Sequence, residues 1–565
     1  MAISLCVLDF FNQTRKEHPL SRRYLMLLVF GGGICTLGIE LTASRLLAPY
    51  FGTSQLIWAN VIGLTLLYLT AGYTIGGRWA DRRPDLGLLC TIIAVAGTFA
   101  AIIPLLAHPI LKWSLSAFQS YSVGVFFGSL LGVLALFSVP ITLLGMVSPF
   151  AIRLSIKDSD GAGKTAGNLY AISTLGSIIG TFLPVLLLIP YVGTAMTIYI
   201  FAGGLVLIAL PGLWLARRRT AMVATAALVG IVLLALFPIG QIKAADCRGC
   251  SLIVEDDSAY NYIQIVERDN GAQGQMIGLV LNEGQAIHSI YYPRFAETGN
   301  PADLLTGGPW DFYNIAPYFY PNRDPSSVDS MAMVGSAAGS VPKQFLAIYG
   351  DDSVIDGIEI DPRIVELGRE YFAMQDTDYY AARGEAAKYP NFVTHVADGR
   401  VFFAGNERTY DIIGMDAYKQ PYIPFHLTTK EFFQTVNAHL TPGGVAVVNA
   451  GRPGSDYRLV NVLASTMSSV FPQVYMIDVP ANGNTMLIGV PSDVGDGVAN
   501  FEANYARMQD PTLRTVMQMA LDTNDRKLPV RRWDGSAESR VFTDDKAPVE
   551  SVIDQIIVKA ATEGP

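Results

Sequence analysis

The sequence predicts a polytopic α-helical membrane domain of seven spans, followed by an α/β domain with a doubly wound sheet and a small N-terminal β subdomain. Three observations predict this fold class. Apolar stretches of membrane-spanning length fill the first 240 residues. Residues 251–300 then alternate in the manner of antiparallel strands. After Pro325, short buried strands alternate with helices, which is typical of a parallel sheet with crossover helices.

The composition favours a membrane part and excludes one class of partner. Apolar residues make up 51% of the chain and charged residues only 16%, which is too apolar for a typical soluble protein of 565 residues. The net charge of −9, with no basic face to offset it, argues against nucleic acid as a partner. The first apolar stretch is too long for a signal-peptide core, so we expect it to remain as a span.

Seven spans follow from a requirement of about 20 apolar residues for each crossing. They are predicted at Tyr24–Leu47, Leu56–Gly77, Gly87–Ala107, Ser122–Phe150, Thr165–Pro190, Ala195–Ala216 and Ala221–Ile239. The fourth span is long and contains Pro140. We expect it to tilt, to kink or to end in an interfacial segment at Val147–Leu154.

Lysine and arginine flank these spans unevenly. One side carries Arg15, Lys16, Arg22, Arg23, Arg78, Arg82, Arg83, Arg153, Lys157, Lys164, Arg217, Arg218 and Arg219. The connecting loops on the other side carry Lys112 alone. Because basic loops stay in the cytoplasm, the N-terminus is predicted to be cytoplasmic. Seven crossings then place the chain from about residue 241 onward outside the cytoplasm.

Two features of the membrane half leave alternatives open. Glu40 and Arg45 lie within or at the end of the first span, where ionisable groups either mark a transport path or pair and snorkel. Cys247 and Cys250 follow the last span and fit a redox pair, half of a metal site or a local disulfide. No second Cys/His pair lies nearby, so we expect no metal and favour a disulfide in an oxidising compartment.

The α/β half places acidic residues at the ends of its strands. Strands are predicted at 331–334, Val354–Ile360, Phe392–Val396, Asp411–Met415 and Val445–Asn449, with a turn containing Gly335 and Gly339 after the first. Ligands of such sheets bind at the carboxyl ends of the strands. Glu359 is therefore placed to accept from both hydroxyls of a ribose, and Asp398, before Gly399, from an adenine amine. Asp416 points into the same crevice.

Several motifs resemble those of the spermidine synthase family of aminopropyltransferases, and the whole chain resembles its membrane-spanning spermidine-synthase-like branch. They are Ser258-Ala-Tyr-Asn-Tyr-Ile-Gln264, Glu359-Ile-Asp361, Ala397-Asp-Gly399, Thr428-Thr-Lys-Glu-Phe-Phe433 and Thr441-Pro-Gly-Gly444. The resemblance implies a Rossmann-like sheet that uses decarboxylated S-adenosylmethionine, or a related nucleoside, as a co-substrate. No tightly bound cofactor is implied.

The resemblance also implies residue roles. Glu359, with Asp361, would hold the ribose, and Asp398, with Gly399, the adenine. Asp416 would be the base, since an amine is nucleophilic only as the free base. The substrate side would include Asn261, Gln285, Trp310, Tyr418, Lys419, Tyr422 and His426.

Three positions depart from the family's pattern. Ala338 stands where the glycine-rich turn usually has an aspartate, Lys419 replaces a second aspartate, and Asn261 replaces a glutamine. Losing two anions removes much of the cage for a polyamine, so putrescine is not the expected acceptor. Lys419, with Tyr418, Tyr422 and His426, instead suits an anionic or carboxylate-bearing substrate.

Three functions remain open on the sequence: an aminopropyltransferase-like enzyme, a catalytically degenerate extracytoplasmic module for binding or assembly, and a transporter with a sensing domain. Expected partners are the lipid bilayer, a small-molecule amine or nucleoside, and subunits of a membrane complex or a second copy of the chain. The predicted domains are residues 1–240, 241–325, 326–495 and 496–565. The last, with a helix at Leu513–Leu521 and an acidic turn at 543–545, is expected to pack on the sheet.

Overall fold

The chain forms two compact units, residues 1–244 and 245–565. The computed structural model describes residues 20–51, 55–118, 124–156, 162–236, 249–258, 260–282, 287–418, 423–480, 483–522, 530–535, 538–549, 551–553 and 555–556. Each unit has its own buried apolar core.

The described part of the first unit is helical. Its helices are α1 (Leu20–Phe51), α2 (Gln55–Arg82), α3 (Leu86–Phe118), α4 (Gly124–Gly145), α5 (Val147–Ser155), α6 (Ala162–Leu183), α7 (Ile189–Ala216) and α8 (Arg218–Leu236). Seven segments are long and apolar enough to cross a membrane, which confirms the predicted number. The fourth, Phe127–Ser155, divides at Met146 into α4 and α5, where the interfacial segment was expected to begin.

Contacts between helices show that successive segments alternate in direction. A Cβ on Gly176 of α6 would meet the carbonyl oxygen of Phe30, and one on Gly180 that of Ile34, so α1 and α6 run parallel. The Tyr24 hydroxyl donates to the Ile208 carbonyl at 2.7 Å, and the Cys35 thiol donates to the Phe201 carbonyl. Helix α7 therefore runs antiparallel to α1, as the fifth and sixth of seven alternating crossings require.

Two ion pairs join segment ends that are rich in basic residues. Arg153, at the end of the fourth segment, lies 3.2 Å from Asp81, at the end of the second. Arg217, after the sixth segment, lies 2.6 Å from Asp85, before the third. These pairs bring the basic loops to one end of the helix bundle. The basic residues that flank the segments in the sequence are therefore gathered at that end.

The second unit begins with a four-stranded antiparallel sheet, as the alternation predicted. Its strands are β1 (Ser251–Asp257), β2 (Tyr262–Asp269), β3 (Gln275–Leu281) and β4 (Ile287–Tyr291). Side chains two apart on a strand share one face. Ile263 and Ile265 of β2 accordingly pack in one cluster with Leu279 and Leu281 of β3. The cluster also contains Phe372, which follows a helix of the larger sheet.

The larger sheet has eight strands in the order β12-β10-β11-β9-β8-β5-β6-β7. They are β5 (Ser330–Val334), β6 (Val354–Glu359), β7 (Phe392–Val396), β8 (Tyr410–Met415), β9 (Leu440–Gly451), β10 (Gln473–Asp478), β11 (Asn484–Val490) and β12 (Arg531–Arg532). The predicted Rossmann-like sheet is confirmed, but it is parallel only from β9 to β7. The three strands beyond β9 pair antiparallel and were missed. Strands β10 and β11 form a hairpin. They were missed because antiparallel strands are joined without the crossover helix that marks successive parallel strands in a sequence.

Besides its two sheets, the described part of the second unit contains helices. They are α9 (Arg294–Thr298), α10 (Ser340–Tyr349), α11 (Pro362–Tyr371), α12 (Thr377–Ala381), α13 (Gly399–Ala404), α14 (Lys430–Ala438), α15 (Arg458–Ser468), α16 (Gly497–Arg507) and α17 (Pro511–Leu521). Val445 and Val447 of β9 lie in one core, and Ala446 and Val448 lie in the other. A strand buried on both faces reads as a continuous apolar run, which is how β9 was predicted.

The close contact of α1 with α6 leads to a prediction for the stability of the first unit. A Cβ on Gly176 would lie 2.2 Å from the Phe30 carbonyl oxygen, so Gly176→Ala must force the two backbones apart. We expect a loss of about 1–3 kcal/mol in unfolding free energy, seen as a lower midpoint of thermal unfolding in detergent. Gly167→Ala is the matched control, because a Cβ there has nothing within 4 Å. Equal midpoints for the two variants would contradict the packing described here.

Candidate active site

The strand order sets the arrangement of polar groups along one edge of the large sheet. In sheet order, Asn449 is on β9, Asp416 follows β8, Gly335 follows β5, Glu359 ends β6 and Asp398 follows β7. Neighbouring strands lie about 4.8 Å apart, so Asp416 and Glu359, with β5 between them, are separated by roughly 10 Å. A cavity of about 950 Å³ opens along this edge and is lined by all five residues.

The first turn brings the backbone to the cavity. Gly335 has φ +79°, and a Cβ there would lie 2.6 Å from the backbone of Asp416. Only glycine fits both the conformation and the space. Gly339 begins α10 with φ +78° but is not among the residues that line the cavity.

Glu359 is a buried carboxylate held by backbone amides. Its Oε2 accepts from the Ala337 amide at 2.9 Å, and its Oε1 from the Asp361 amide at 3.1 Å. Burial raises its pKa to about 7, against the opposing effect of these hydrogen bonds. It lines the cavity as predicted from its place at the end of β6.

Asp361 joins the small sheet to the large one. Its side chain is fully buried and caps α11 through the Arg363 amide at 3.0 Å. Its Oδ2 also accepts from the Ser258 hydroxyl and from Nδ2 of Asn261, the latter at 2.9 Å. Asn261 lines the cavity and Asp361 does not, so the geometry gives Asp361 a supporting place behind the wall.

Asp398 and His426 form a pair in the cavity wall. Asp398 Oδ1 caps α13 by accepting from the amides of Arg400 at 2.9 Å and Val401 at 3.3 Å. Its Oδ2 lies 2.8 Å from His426 Nε2. Gly399 follows in the same wall. His426, predicted on the substrate side, therefore lies beside the carboxylate expected to meet the adenine.

Asp416 is half-buried between two neutral donors. Trp310 Nε1 donates to Oδ2 at 2.9 Å, and Asn449 Nδ2 donates to Oδ1 at 2.8 Å. Burial raises its pKa to about 6, and the two hydrogen bonds oppose that rise. A carboxylate has about four lone-pair sites, so it can accept another proton donor while it stays fixed in this orientation.

The remaining predicted residues have varied outcomes. Tyr418 lines the cavity, but its hydroxyl donates to the Asn449 carbonyl at 2.7 Å and accepts from the Gly451 amide at 2.9 Å. Its hydroxyl is therefore engaged in hydrogen bonds with the backbone of β9. Cys250 is disulfide-bonded. Four predicted residues lie outside the described residues: Cys247, Gln285, Lys419 and Tyr422.

Asn449, Asn484 and His288 are among the cavity residues that were missed from the sequence. Asn449 holds Asp416 and in turn accepts from Asn484 Nδ2 at 2.8 Å. Asn449 could have been predicted, because it is a polar residue at the end of the buried strand Val445–Asn449. Asn484 could not, because it lies on β11, which was not predicted. His288 also lines the cavity; its Nε2 has no hydrogen-bond partner among the described residues, and burial lowers its pKa to about 4.

Comparison with known proteins points to one family. The family described as "Spermine/spermidine synthase domain" matches residues 348–490. A probable polyamine aminopropyl transferase of Bifidobacterium longum (strain NCC 2705) is 29% identical over 337 residues, which are 55% of this chain and 65% of that protein. A polyamine aminopropyltransferase of Vibrio vulnificus (strain CMCP6) is 26% identical over 322 residues, covering 56% of this chain and 93% of that one.

A comparison with solved structures also finds a similar protein. The structure of a probable spermidine synthase from Corynebacterium glutamicum ATCC 13032 covers 53% of this chain and 97% of its own, with 19% identity and a TM-score of 0.38. The chain spans about two thirds of the length of its Bifidobacterium relative. The family match lies wholly within the second unit. Within the second unit, residues 348–490 are therefore similar to a spermine/spermidine synthase domain.

Proposed function

We propose that the second unit binds a nucleoside sulfonium, decarboxylated S-adenosylmethionine or a relative of it, and transfers the aminopropyl or a related group to an amine. One observation carries the proposal: Asp416, a half-buried carboxylate held by Trp310 and Asn449, shares a cavity with Glu359 and Asp398. A base and two nucleoside acceptors at one sheet edge are what this transfer requires.

The donor would occupy the β6 and β7 end of the cavity. Glu359 would accept from the ribose hydroxyls, and Asp398, on the adjacent strand, from the adenine amine. The sulfonium would then extend past Gly335 toward β8. The separation of roughly 10 Å between Glu359 and Asp416 leaves room for the reacting carbon between them.

The transfer step needs a proton acceptor beside the amine. The nitrogen lone pair attacks the carbon next to sulfur, the carbon–sulfur bond breaks, and its electron pair leaves on a neutral thioether. The proton lost by the amine passes to Asp416. With its pKa raised to about 6, this carboxyl is ionised at neutral pH and is a stronger base than an exposed aspartate.

We also propose an orientation for the helix bundle in the membrane. The basic end of the helix bundle, joined by Arg153–Asp81 and Arg217–Asp85, would face the cytoplasm. Seven alternating segments would then lead the chain out of the cytoplasm before residue 245. The disulfide at Cys250 supports this side, because disulfides persist in oxidising compartments.

A binding role without transfer is the second candidate, and the same orientation favours it. An adenosyl donor made in the cytoplasm is not expected outside. The cavity would then hold a nucleoside-like ligand or serve a membrane complex, with Glu359 and Asp398 retained and the base unused.

Substitution of the base tests the transfer. Asp416→Asn should abolish transfer to an amine, because the amide cannot accept the proton, while nucleoside binding stays close to that of the wild type. In the wild type, transfer at saturating donor should rise with pH through about 6, as Asp416 loses its proton. Product formation followed by mass spectrometry measures both. Full turnover by the Asn variant would remove Asp416 from the mechanism.

The ribose site predicts a pH dependence of binding. Because burial raises the pKa of Glu359 to about 7, its ionised fraction grows from the minor to the major form between pH 6 and 8, and nucleoside affinity should increase over that range. Glu359→Ala should weaken binding by about 1.5–3 kcal/mol and flatten this pH dependence. Calorimetric titration with 5′-methylthioadenosine, the thioether left after transfer, measures both. An alanine variant with unchanged affinity and pH dependence would place the ribose elsewhere.

A reporter active in only one compartment decides between the two candidates. Fused after Pro565, it should report the outside, and in a matched fusion after Pro84, between the second and third segments, it should report the cytoplasm. If both fusions report the cytoplasm, the proposed orientation fails and the enzyme has access to its donor. Opposite sides favour the binding candidate.

A further inference from the structure

Asp398, the carboxylate at the adenine end, is held by a chain of contacts that ends near the C-terminus. His426 Nε2 lies 2.8 Å from Asp398 Oδ2. Arg400 Nη1 donates to the His426 carbonyl at 3.2 Å. The same guanidinium makes a two-point pair with Asp544, with Nη1 to Oδ1 at 2.7 Å. Three contacts thus connect the cavity wall to Asp544.

Asp544 also binds the chain segment that follows His426 in the sequence. Its Oδ1 accepts from the Thr429 hydroxyl at 2.7 Å, and its own amide donates to Glu431 at 3.0 Å. Two residues earlier, the Phe542 carbonyl accepts from the Lys430 amide at 2.8 Å, and the Phe542 ring is buried in a core of the large sheet. Residues 542–544, here called the C-terminal clamp, therefore bind the chain directly after the His426 turn and, through Arg400, the His426 carbonyl.

We propose that the C-terminal clamp is a working part of the nucleoside site: Asp544, through Arg400, positions His426, and His426 orients Asp398 toward the adenine amine. This inference rests on the proposed function for the identity of the ligand. It makes Asp544, Arg400 and His426 positioning residues for a contact that Asp398 itself would make.

The hydrogen-bond capacity of Asp398 supports this assignment. Its Oδ1 is occupied by the two amides of α13, and its Oδ2 by His426. Of about four lone-pair sites, these donors use three, so one more donor can be accepted. Asp398 and His426 both line the cavity, so the ligand reaches a carboxylate whose plane is already fixed on both oxygens. A fixed acceptor binds with less loss of freedom than a mobile one.

The strength of the Arg400–Asp544 pair argues for positioning over stability. The two side chains are 31% and 44% exposed, and ion pairs that exposed contribute little to folding stability. Yet Arg400 is tied at both ends, by its amide to Asp398 and by its guanidinium to Asp544 and the His426 carbonyl. Loss of the pair should thus disturb the His426 turn while the fold persists.

The test measures binding of 5′-methylthioadenosine to the full chain in detergent by calorimetry. We expect Asp544→Asn and His426→Ala each to weaken binding by about tenfold, the loss of one charge-assisted hydrogen bond. His426→Gln keeps an N–H donor and should bind within about threefold of the wild type. Asp545→Asn is the matched control, because this neighbouring carboxylate does not pair with Arg400 in the described structure, and it should bind as the wild type does.

A double-variant cycle shows whether Asp544 acts through His426. If it does, adding Asp544→Asn to His426→Ala should weaken binding by less than about twofold more. Full additivity, or unchanged or tighter binding in Asp544→Asn, would overturn the inference. Thermal unfolding separates misfolding from mispositioning, and Arg400→Lys, which keeps the charge but not the two-point pair, repeats the test if Asp544→Asn does not fold. If the wild type binds no nucleoside, the proposed function itself is wrong. If the wild type binds but the clamp substitutions do not change its affinity, only this inference is wrong.

Discussion

The burial of carboxylates at the strand ends, held by neutral N–H donors, is the constraint on which the site depends. Glu359 is held by the amides of Ala337 and Asp361, and Asp416 by Trp310 and Asn449. Each unit of raised pKa represents about 1.4 kcal/mol of disfavoured charge, so both anions are kept at a cost that the rest of the unit must offset. Carboxylates neutralised by a lysine or arginine would be cheaper, but they would be poorer bases and poorer acceptors for a ligand.

The parallel order of β9, β8, β5, β6 and β7 turns these separate carboxylates into one site. Neighbouring strands present their carboxyl ends about 4.8 Å apart, so residues distant in the chain line up along one cavity. The antiparallel strands beyond β9 do more than extend the sheet. Strand β11 brings Asn484 to Asn449, and Asn449 then holds Asp416. The orientation of Asp416 is thus supported, through Asn449, by a strand that runs antiparallel to β9.

The order of strand ends could be read from the sequence, because apolar runs ended by Glu359 and Asp416 are local signals. The contacts of Asn484 could not, since they depend on which strand lies beside β9. Asp361 is intermediate: an aspartate directly before Pro362 is a common start of a helix, and this signal favours a cap over a ligand contact. In the first unit, the lengths of the apolar stretches were enough to predict seven segments, but the pairing of Arg217 with Asp85 depends on the packing of α3 against α7.

The two ends of the cavity are supported by different parts of the second unit. Asp416 depends on β9, β11 and the turn at Trp310, whereas Asp398 depends on α13, His426 and the C-terminal clamp. No described hydrogen bond joins these two sets of side chains directly. Substitutions at the Asp416 end therefore leave the supports of the Asp398 end in place, so the two ends of the cavity can change independently of each other.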